Sequence, residues 1–323
     1  MSEPTVSLRH LLGLEGVSAQ DIQVLLETGF SFREVLERPI KKVPTLTGIS
    51  VVNLFFEGST RTRISFELAE KRLSADVTNF SAGASSLSKG EGLKDTIQNI
   101  HAMKMDAVVM RHPVPGSTWQ LSQFVDAVVI NAGDGTHEHP TQGLLDMMSL
   151  QEKFGRLKGL KVGIIGDIAH SRVARSNIFG LITMGAEVTV CGPGHLIPPY
   201  IGELGVAVNG DIDEVLTWAD AVNVLRIQRE RMADGIIPSV REYRSRFGIT
   251  NERLARHRKE VVILHPGPMN RGVEIDSDVA DGDQAVILDQ VLNGVAVRMS
   301  VLFHLLGPRE SEGEPPLHPE EET

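Results

Sequence analysis

The sequence contains one cysteine, Cys191, among its 323 residues. No disulfide can form within the chain, which excludes a secreted scaffold held by such bridges and favours a cytoplasmic protein. No apolar run reaches the roughly 18 residues that a membrane span requires, and the segment Met1-Ser2-Glu3-Pro4 has no basic or apolar character of a secretion signal. We therefore expect no membrane partner.

The sequence also has no excess of positive charge. It contains 32 lysines and arginines and 42 aspartates and glutamates, which gives a net charge of −10. A protein that follows a nucleic-acid backbone usually carries a basic stripe, so no nucleic-acid partner is expected. No set of histidines, cysteines and carboxylates has the spacing of metal ligands. We predict neither a metal nor a cofactor, and an anionic substrate would need a locally basic pocket.

The chain is long enough, with 41% hydrophobic residues, for two ordinary domains. Between about residues 49 and 132, short β-branched or aromatic runs alternate with helical patterns, which is typical of a parallel sheet built from βαβ units. The same alternation returns from Lys161 to Leu264. We predict an α/β fold of two parallel-sheet domains, residues 1–154 and 155–288.

Two segments follow the second domain. Residues 289–306 carry an apolar face at Val291, Val295, Met299 and Leu302, and we predict a helix that returns to the first domain. Residues 308–323 are rich in proline and glutamate and have no apolar periodicity, so they are predicted to form a disordered acidic tail.

Ser59-Thr60-Arg61-Thr62 lies where a predicted strand ends and a helix begins. Unpaired backbone N–H groups, the positive end of the helix dipole, hydroxyls and guanidinium groups meet there, which suits a dianionic phosphate. Serine and threonine alone would indicate an ordinary helix cap. The interleaved arginines favour a phosphate site.

Two further polar segments follow predicted strands, where open α/β sheets bind ligands. They are Arg111-His112-Pro113 and His139-Pro140-Thr141-Gln142. Pro140 suits a first helical position, which directs His139 toward the crevice. His139 could donate a hydrogen bond to a carbonyl oxygen that gains charge, and Gln142 could orient an amide. A structural histidine is the alternative.

Basic residues in the remaining loops could hold carboxylates. Arg172 and Arg226 each follow a predicted strand of the second domain, and each guanidinium could grip one carboxylate of a dicarboxylate. Two exposed surface arginines are the alternative. Lys89, in a glycine-punctuated polar loop, could reach an anion or lie in a solvated turn. Gly166 lacks the following glycines of a dinucleotide fingerprint, which disfavours a nicotinamide enzyme.

In order along residues 50–305, these motifs resemble the aspartate carbamoyltransferase family. The block from Ser59 to Arg63 is shared with ornithine carbamoyltransferases, whereas Thr141 and Gly267 stand where ornithine enzymes have cysteine and leucine. The motifs that carry the resemblance are Phe56 to Arg63, Ser88-Lys89-Gly90-Glu91, Arg111-His112-Pro113, His139-Pro140-Thr141-Gln142, Arg226-x-Gln228 and His265-Pro266-Gly267-Pro268.

The resemblance implies transfer of a carbamoyl group from carbamoyl phosphate to L-aspartate. It implies catalytic roles for Arg61, Thr62, Lys89, Arg111 and His139. The carbamoyl phosphate site would comprise Ser59, Thr60, Arg61, Thr62, Ser85, Lys89, Arg111, His139, Gln142, Pro266, Gly267 and Pro268. The aspartate site would comprise Lys89, Arg172, Arg226 and Gln228.

The resemblance also implies a homotrimer with shared active sites, because Lys89 and a loop serine, Ser85 by spacing, reach the neighbouring subunit in this family. Regulatory or dihydroorotase-like chains are possible further partners. Two other functions stay open at this point: transfer to ornithine or another amine, and a non-catalytic scaffold subunit with the same fold.

Overall fold

Two parallel β-sheets with flanking helices make up the protein in a computed structural model that describes residues 6–81, 98–99, 102–227, 239–257 and 260–307. The strands are β1 Ser50–Phe55, β2 Asp76–Ser81, β3 Ala107–His112, β4 Val128–Asp134, β5 Lys161–Ile165, β6 Glu187–Cys191, β7 Ala207–Val208, β8 Ala221–Val224 and β9 Val262–Leu264. The helices are α1 Ala19–Glu37, α2 Thr60–Arg72, α3 Ser117–Ser122, α4 Pro140–Phe154, α5 Arg172–Thr183, α6 Ile212–Trp218, α7 Val240–Phe247, α8 Asn251–Leu254, α9 Ser277–Ala280 and α10 Ile287–Leu306.

The first sheet has the order β2-β1-β3-β4, with every pair parallel. The chain runs outward from β1 to β2, then returns to the other side of β1 for β3 and β4. The predicted βαβ sheet is confirmed. The strand order reverses between β1 and β3, and ligands of open α/β sheets bind outside the carboxyl ends at such a point.

The second sheet has the order β7-β6-β5-β8-β9, again parallel, and reverses between β5 and β8. The parallel sheet predicted from the alternation between Lys161 and Leu264 is confirmed, while the edge strand β7 was not predicted. Because β7 has two residues, it is too short to show an alternating pattern. At both reversal points, the residues at the carboxyl ends of the strands line one cleft.

Helix α10 returns to the first sheet's helices, as predicted, and packs against α1. Ser300 Oγ donates to the carbonyl of Leu25 at 2.7 Å, and Thr28 Oγ1 lies 2.8 Å from His304 Nε2. The rings of Phe32 and Phe303 meet edge to face at 5.7 Å. The first sheet is therefore covered by helices from both ends of the described chain.

Some predicted features lie outside the described residues: Ser85, Lys89, Gln228 and the tail 308–323. Among the helices that are described, none has the length and apolarity needed to cross a bilayer.

Candidate active site

A cleft of about 720 Å³ lies where the carboxyl ends of the two sheets face each other. It brings together residues from the ends of six strands, β1, β3, β4, β5, β8 and β9, and from α10. The predicted site residues that line it are Ser59, Thr60, Arg61, Thr62, Arg111, His139, Gln142, Arg172, Arg226, Pro266, Gly267 and Pro268. Thus every predicted site residue that the structure describes lies on one cleft, in a chain whose net charge is −10.

The N-terminus of helix α2 opens into this cleft. Ser59 is its N-cap residue, with φ −156° and ψ 86°, and makes no side-chain capping hydrogen bond within the part of the chain described. The first backbone N–H groups of an α-helix have no partner inside the helix. Partial burial and the neighbouring charge of Arg226 lower the pKa of Arg61. This concentration of donors and like charges favours a bound anion.

The turn at Gly267 lies against Arg61. Gly267 has φ 60°, a left-handed conformation that favours glycine, and a Cβ at this position would overlap the Arg61 guanidinium. The Gly267 N–H donates to His265 Nδ1 at 2.8 Å, so His265 Nε2 carries the proton toward Glu274 Oε1, 3.2 Å away. This buried chain of contacts holds the turn against the cleft.

Glu57 joins arginines that come from the two sheets. Arg172 Nη2 donates to Glu57 Oε2 at 2.8 Å, and Arg111 Nε lies 3.3 Å from the same oxygen. Arg172 is only 4% exposed and also donates to the carbonyl of Gly135. The surface-arginine alternative is therefore wrong for Arg172. Glu57 lay in a predicted motif, but its role was missed because Arg172 is 115 residues away.

His139 lies at the N-terminus of α4 and is 4% exposed. Its backbone N–H donates to Ser176 Oγ at 2.8 Å, while its Nδ1 has no hydrogen-bond partner among the described residues. Burial, with a smaller effect of Arg111 and other arginines, lowers its pKa well below the usual value. His139 is therefore a neutral imidazole at neutral pH, and one ring nitrogen can donate without being charged.

Asp146 lies behind the cleft, fully buried, and was not predicted. Its Oδ1 accepts from Gln142 at 2.8 Å and from Gln290 at 2.7 Å, and its Oδ2 accepts from Asn177 at 2.7 Å and from Asn223 at 2.8 Å. Burial raises its pKa to about 6, against the lowering effect of these four hydrogen bonds. The carboxylate thus connects α4, α5, β8 and α10.

Arg298 is another cleft residue that was not predicted. It is 4% exposed, donates to Ser65 Oγ at 2.8 Å and lies 5.0 Å from the centre of the Phe66 ring. Burial lowers its pKa to about 10, so it stays charged at neutral pH. A local signal was present, because an arginine interrupts the apolar pattern of α10.

The second sheet's contribution to the cleft includes the N-terminus of helix α5. Ser171 caps this helix by accepting from the Ala174 N–H at 3.2 Å. Nearby, Cys191 is buried, and desolvation raises the pKa of its thiol to about 12, which disfavours a nucleophilic thiolate. This side of the cleft offers arginines rather than an open helix end.

One group of possible metal ligands lies outside the cleft. Donor atoms of Glu15, His137 and Glu138 lie within 4.8 Å of one another, a proximity that their spacing did not predict. The Glu138 carboxylate already accepts from the Leu14 and Glu15 N–H groups and from Ser176 Oγ. We therefore interpret this carboxylate as a structural hydrogen-bond acceptor.

The chain matches two domains of one known protein family. The carbamoyl-P binding domain of aspartate/ornithine carbamoyltransferase matches residues 9–152, and the Asp/Orn binding domain of the same family matches residues 158–305. The chain belongs to the aspartate/ornithine carbamoyltransferase family. The first match ends in the last turn of α4 and the second begins just before β5, where the first sheet gives way to the second.

Relatives of both acceptor types share this family fold. The aspartate carbamoyltransferase catalytic subunit of Gemmatimonas aurantiaca is 60% identical over 299 residues, which are 93% of this chain and 94% of that protein. Aspartate transcarbamoylase from Trypanosoma cruzi, in complex with carbamoyl phosphate and aspartate, superposes with a TM-score of 0.84 at 28% identity, over 93% of this chain and 96% of that one. Ornithine carbamoyltransferase from Pyrococcus furiosus reaches 0.82 at 26% identity, over 94% and 98%.

Proposed function

We propose that this chain transfers the carbamoyl group of carbamoyl phosphate to the amino group of L-aspartate, giving N-carbamoyl-L-aspartate and phosphate, a step of pyrimidine biosynthesis. The observation that carries the proposal is the cleft, where arginines from both sheets face an uncapped helix N-terminus. The 60% identity to a protein named aspartate carbamoyltransferase catalytic subunit supports aspartate as the acceptor.

The first domain, residues 1–154 completed by the helix at about 289–306, is proposed to bind carbamoyl phosphate. Its phosphate would lie at the N-terminus of α2, held by Ser59, Thr60, Arg61 and Thr62, with Arg111. The uncapped state of Ser59 supports this assignment, because its hydroxyl is left for a ligand.

The carbamoyl group would lie between α4 and the turn at Gly267. Thr62, Arg111 and neutral His139 would donate to its carbonyl oxygen as that oxygen becomes negative. Its NH₂ group would donate to Gln142 and to the backbone carbonyls of Pro266 and Gly267, with Pro268 completing the turn. The hydrogen-bond donors of the cleft would thus lie at the oxygen of the planar carbamoyl group, and the acceptors at its NH₂ group.

The second domain, residues 155–288, is proposed to bind L-aspartate through Arg172 and Arg226. Each guanidinium can pair with one carboxylate. Gln228 and Lys89 are proposed to contribute as well. Glu57 would orient Arg172 through their 2.8 Å ion pair.

The reaction requires no nucleophile from the protein, because carbamoyl phosphate is already activated. The aspartate amine attacks the carbonyl carbon, a C–N bond forms, and a tetrahedral intermediate results. The C–O bond to phosphate then breaks, and the leaving phosphate takes the proton from the amine nitrogen. Because the two substrates bind to different domains, we propose ordered binding followed by closure of the cleft.

We propose a cytoplasmic homotrimer in which Ser85 and Lys89 complete a neighbouring subunit's site. Regulatory or dihydroorotase-like chains are possible additional partners. Light scattering coupled to size-exclusion chromatography, with and without such chains, measures the mass of the assembly. A monomer that is fully active would contradict the shared site.

The acceptor is tested by measuring the carbamoylated product colorimetrically with L-aspartate and with L-ornithine. We expect kcat/KM to be at least about 100-fold higher for aspartate, because the cationic side chain of ornithine would meet arginines. If product forms with ornithine and not with aspartate, the proposal that aspartate is the acceptor is wrong. If neither amine gives product, the proposed carbamoyltransferase activity is wrong and a non-catalytic scaffold subunit is favoured.

A further inference from the structure

Asp146 shares one face of helix α4 with Gln142, since residues four apart on a helix are neighbours. Gln142 lines the cleft, whereas Asp146 lies behind it and is fully buried. Gln142 Nε2 donates to Asp146 Oδ1 at 2.8 Å. The buried carboxylate is therefore in direct contact with the side chain that we assign to the carbamoyl NH₂ group.

Among the described residues, each side chain that donates to Asp146 is a primary amide and presents its NH₂ group. An ionised carboxylate only accepts hydrogen bonds, whereas an amide offers either a donor or an acceptor, depending on which way it is turned. The carboxylate therefore forces Gln142 to turn its oxygen away from Asp146. For Gln142, that direction is the cleft.

The same oxygen of Asp146 also orients the turn at the other side of the carbamoyl site. Gln290 Nε2 donates to Asp146 Oδ1 at 2.7 Å, which leaves Gln290 Oε1 to accept from the His265 N–H at 3.0 Å. His265 in turn accepts from the Gly267 N–H. One carboxylate oxygen thus fixes two amides, and both present oxygen atoms on their far sides.

We propose that Asp146 is a positioning residue that fixes Gln142 as a hydrogen-bond acceptor, and so makes the cleft prefer a carbamoyl group over an acyl group of the same shape. This inference rests on the proposed function, since it assumes that carbamoyl phosphate is the donor substrate. A ligand NH₂ group finds an acceptor oxygen at Gln142, whereas a methyl group leaves that oxygen buried without a partner, which is costly.

The test compares carbamoyl phosphate with acetyl phosphate, in which a methyl group replaces NH₂. Phosphate release at saturating aspartate gives kcat/KM for each donor, and their ratio is the selectivity. In Asp146→Leu, which removes both acceptor oxygens at similar volume, we expect the ratio to fall on the order of tenfold, the effect of about one hydrogen bond. The inhibition constant of inorganic phosphate, which has no NH₂ group, should change less than about twofold.

A double-mutant cycle with Gln142→Leu shows whether Asp146 acts through Gln142. In the Gln142→Leu background, Asp146→Leu should leave the ratio unchanged. Equal falls in both backgrounds would overturn the proposal, as would an unchanged ratio in folded Asp146→Leu. A general structural defect would weaken all three ligands alike and would also overturn it.

Two further variants separate the proposed effect from a loss of folding or stability. Asp146→Asn keeps the shape and one acceptor oxygen, so a smaller fall in the ratio is expected; if Asp146→Leu does not fold, an unchanged ratio in Asp146→Asn overturns the proposal. Asn177→Ala removes a donor from Oδ2, the other oxygen, and should lower stability while leaving the ratio unchanged. Wild-type protein that releases no phosphate from carbamoyl phosphate and aspartate would instead refute the proposed function.

Discussion

Helices α2 and α5 begin in the same cleft, and each has a serine as its N-cap residue, yet the two ends differ. Ser171 accepts a hydrogen bond from the first turn of α5 at 3.2 Å. Ser59 makes no such bond to α2 in the described structure. A capped helix end is satisfied by its own chain, whereas an uncapped end is available to a ligand. This difference supports the proposed phosphate site at the N-terminus of α2 rather than at that of α5.

The largest effect is expected at Arg61, which carries a positive charge in the first turn of the uncapped helix α2. Arg61→Ala should lower kcat/KM at least about 1,000-fold, because it removes a guanidinium from the proposed phosphate site. Steady-state kinetics with carbamoyl phosphate measures this loss. Lys71→Ala, which removes a positive charge near the other end of the same helix, is the matched control and should change kcat/KM less than about twofold. Equal losses in the two variants would show that only overall charge matters.

His139 is the N-cap residue of helix α4 and, within the described residues, makes no side-chain capping hydrogen bond. His139→Gln should lower kcat about 100-fold, because a donor to the developing negative charge is displaced. Since its pKa lies well below the usual value, the wild-type kcat profile should show no titration of His139 between pH 6 and 8. A loss of only a few-fold in turnover would contradict the proposed role for His139.

The buried faces of the two compared helices differ as well. Helix α5 buries the neutral amide Asn177, whereas α2 buries Glu70, whose carboxylate accepts from Asn53 Nδ2 at 2.8 Å. Desolvation raises the Glu70 pKa from 4.5 to about 7. A raised folded-state pKa contributes stability that is present below about pH 4.5 and is lost as the pH rises through 7.

Glu70→Gln removes this dependence on pH. Between pH 5 and 8.5, the wild type should therefore lose on the order of 2 kcal/mol of unfolding free energy relative to the variant. Urea unfolding of both proteins at the two pH values measures the difference. A constant difference between the proteins would show that the Glu70 pKa is not raised.

The smallest effect tests the capping difference directly. Ser171→Ala should lower the free energy of unfolding by about 1 kcal/mol, the usual contribution of an N-cap, and change kcat/KM less than about threefold. Ser59→Ala should leave stability within about 0.5 kcal/mol and lower kcat/KM about tenfold, since only a ligand contact is lost. Paired denaturation and kinetic measurements compare the variants. If both lose the same stability, the two helix ends are equivalent.

Residues next to strand ends could be predicted from the sequence because a parallel sheet gathers its carboxyl ends at one edge. Arg111 at the end of β3 and Arg226 after β8 both line the cleft for this reason. Asp146 and Gln290 are 144 residues apart, and their contact depends on how α10 packs, which no local pattern encodes. Helix α1 was also not predicted, although its buried face includes Ile22 and Leu26.

The pairing of α1 with α10 has a consequence for synthesis of the protein. When a ribosome has added residue 154, every strand of the first sheet exists, but the helix that covers Leu25 and Phe32 does not. Those apolar side chains stay uncovered until residues 287–306 have been synthesised, which happens only after the whole second sheet. The first domain to begin folding is thus the last to be completed, and premature termination before α10 leaves its core exposed to chaperones and proteases.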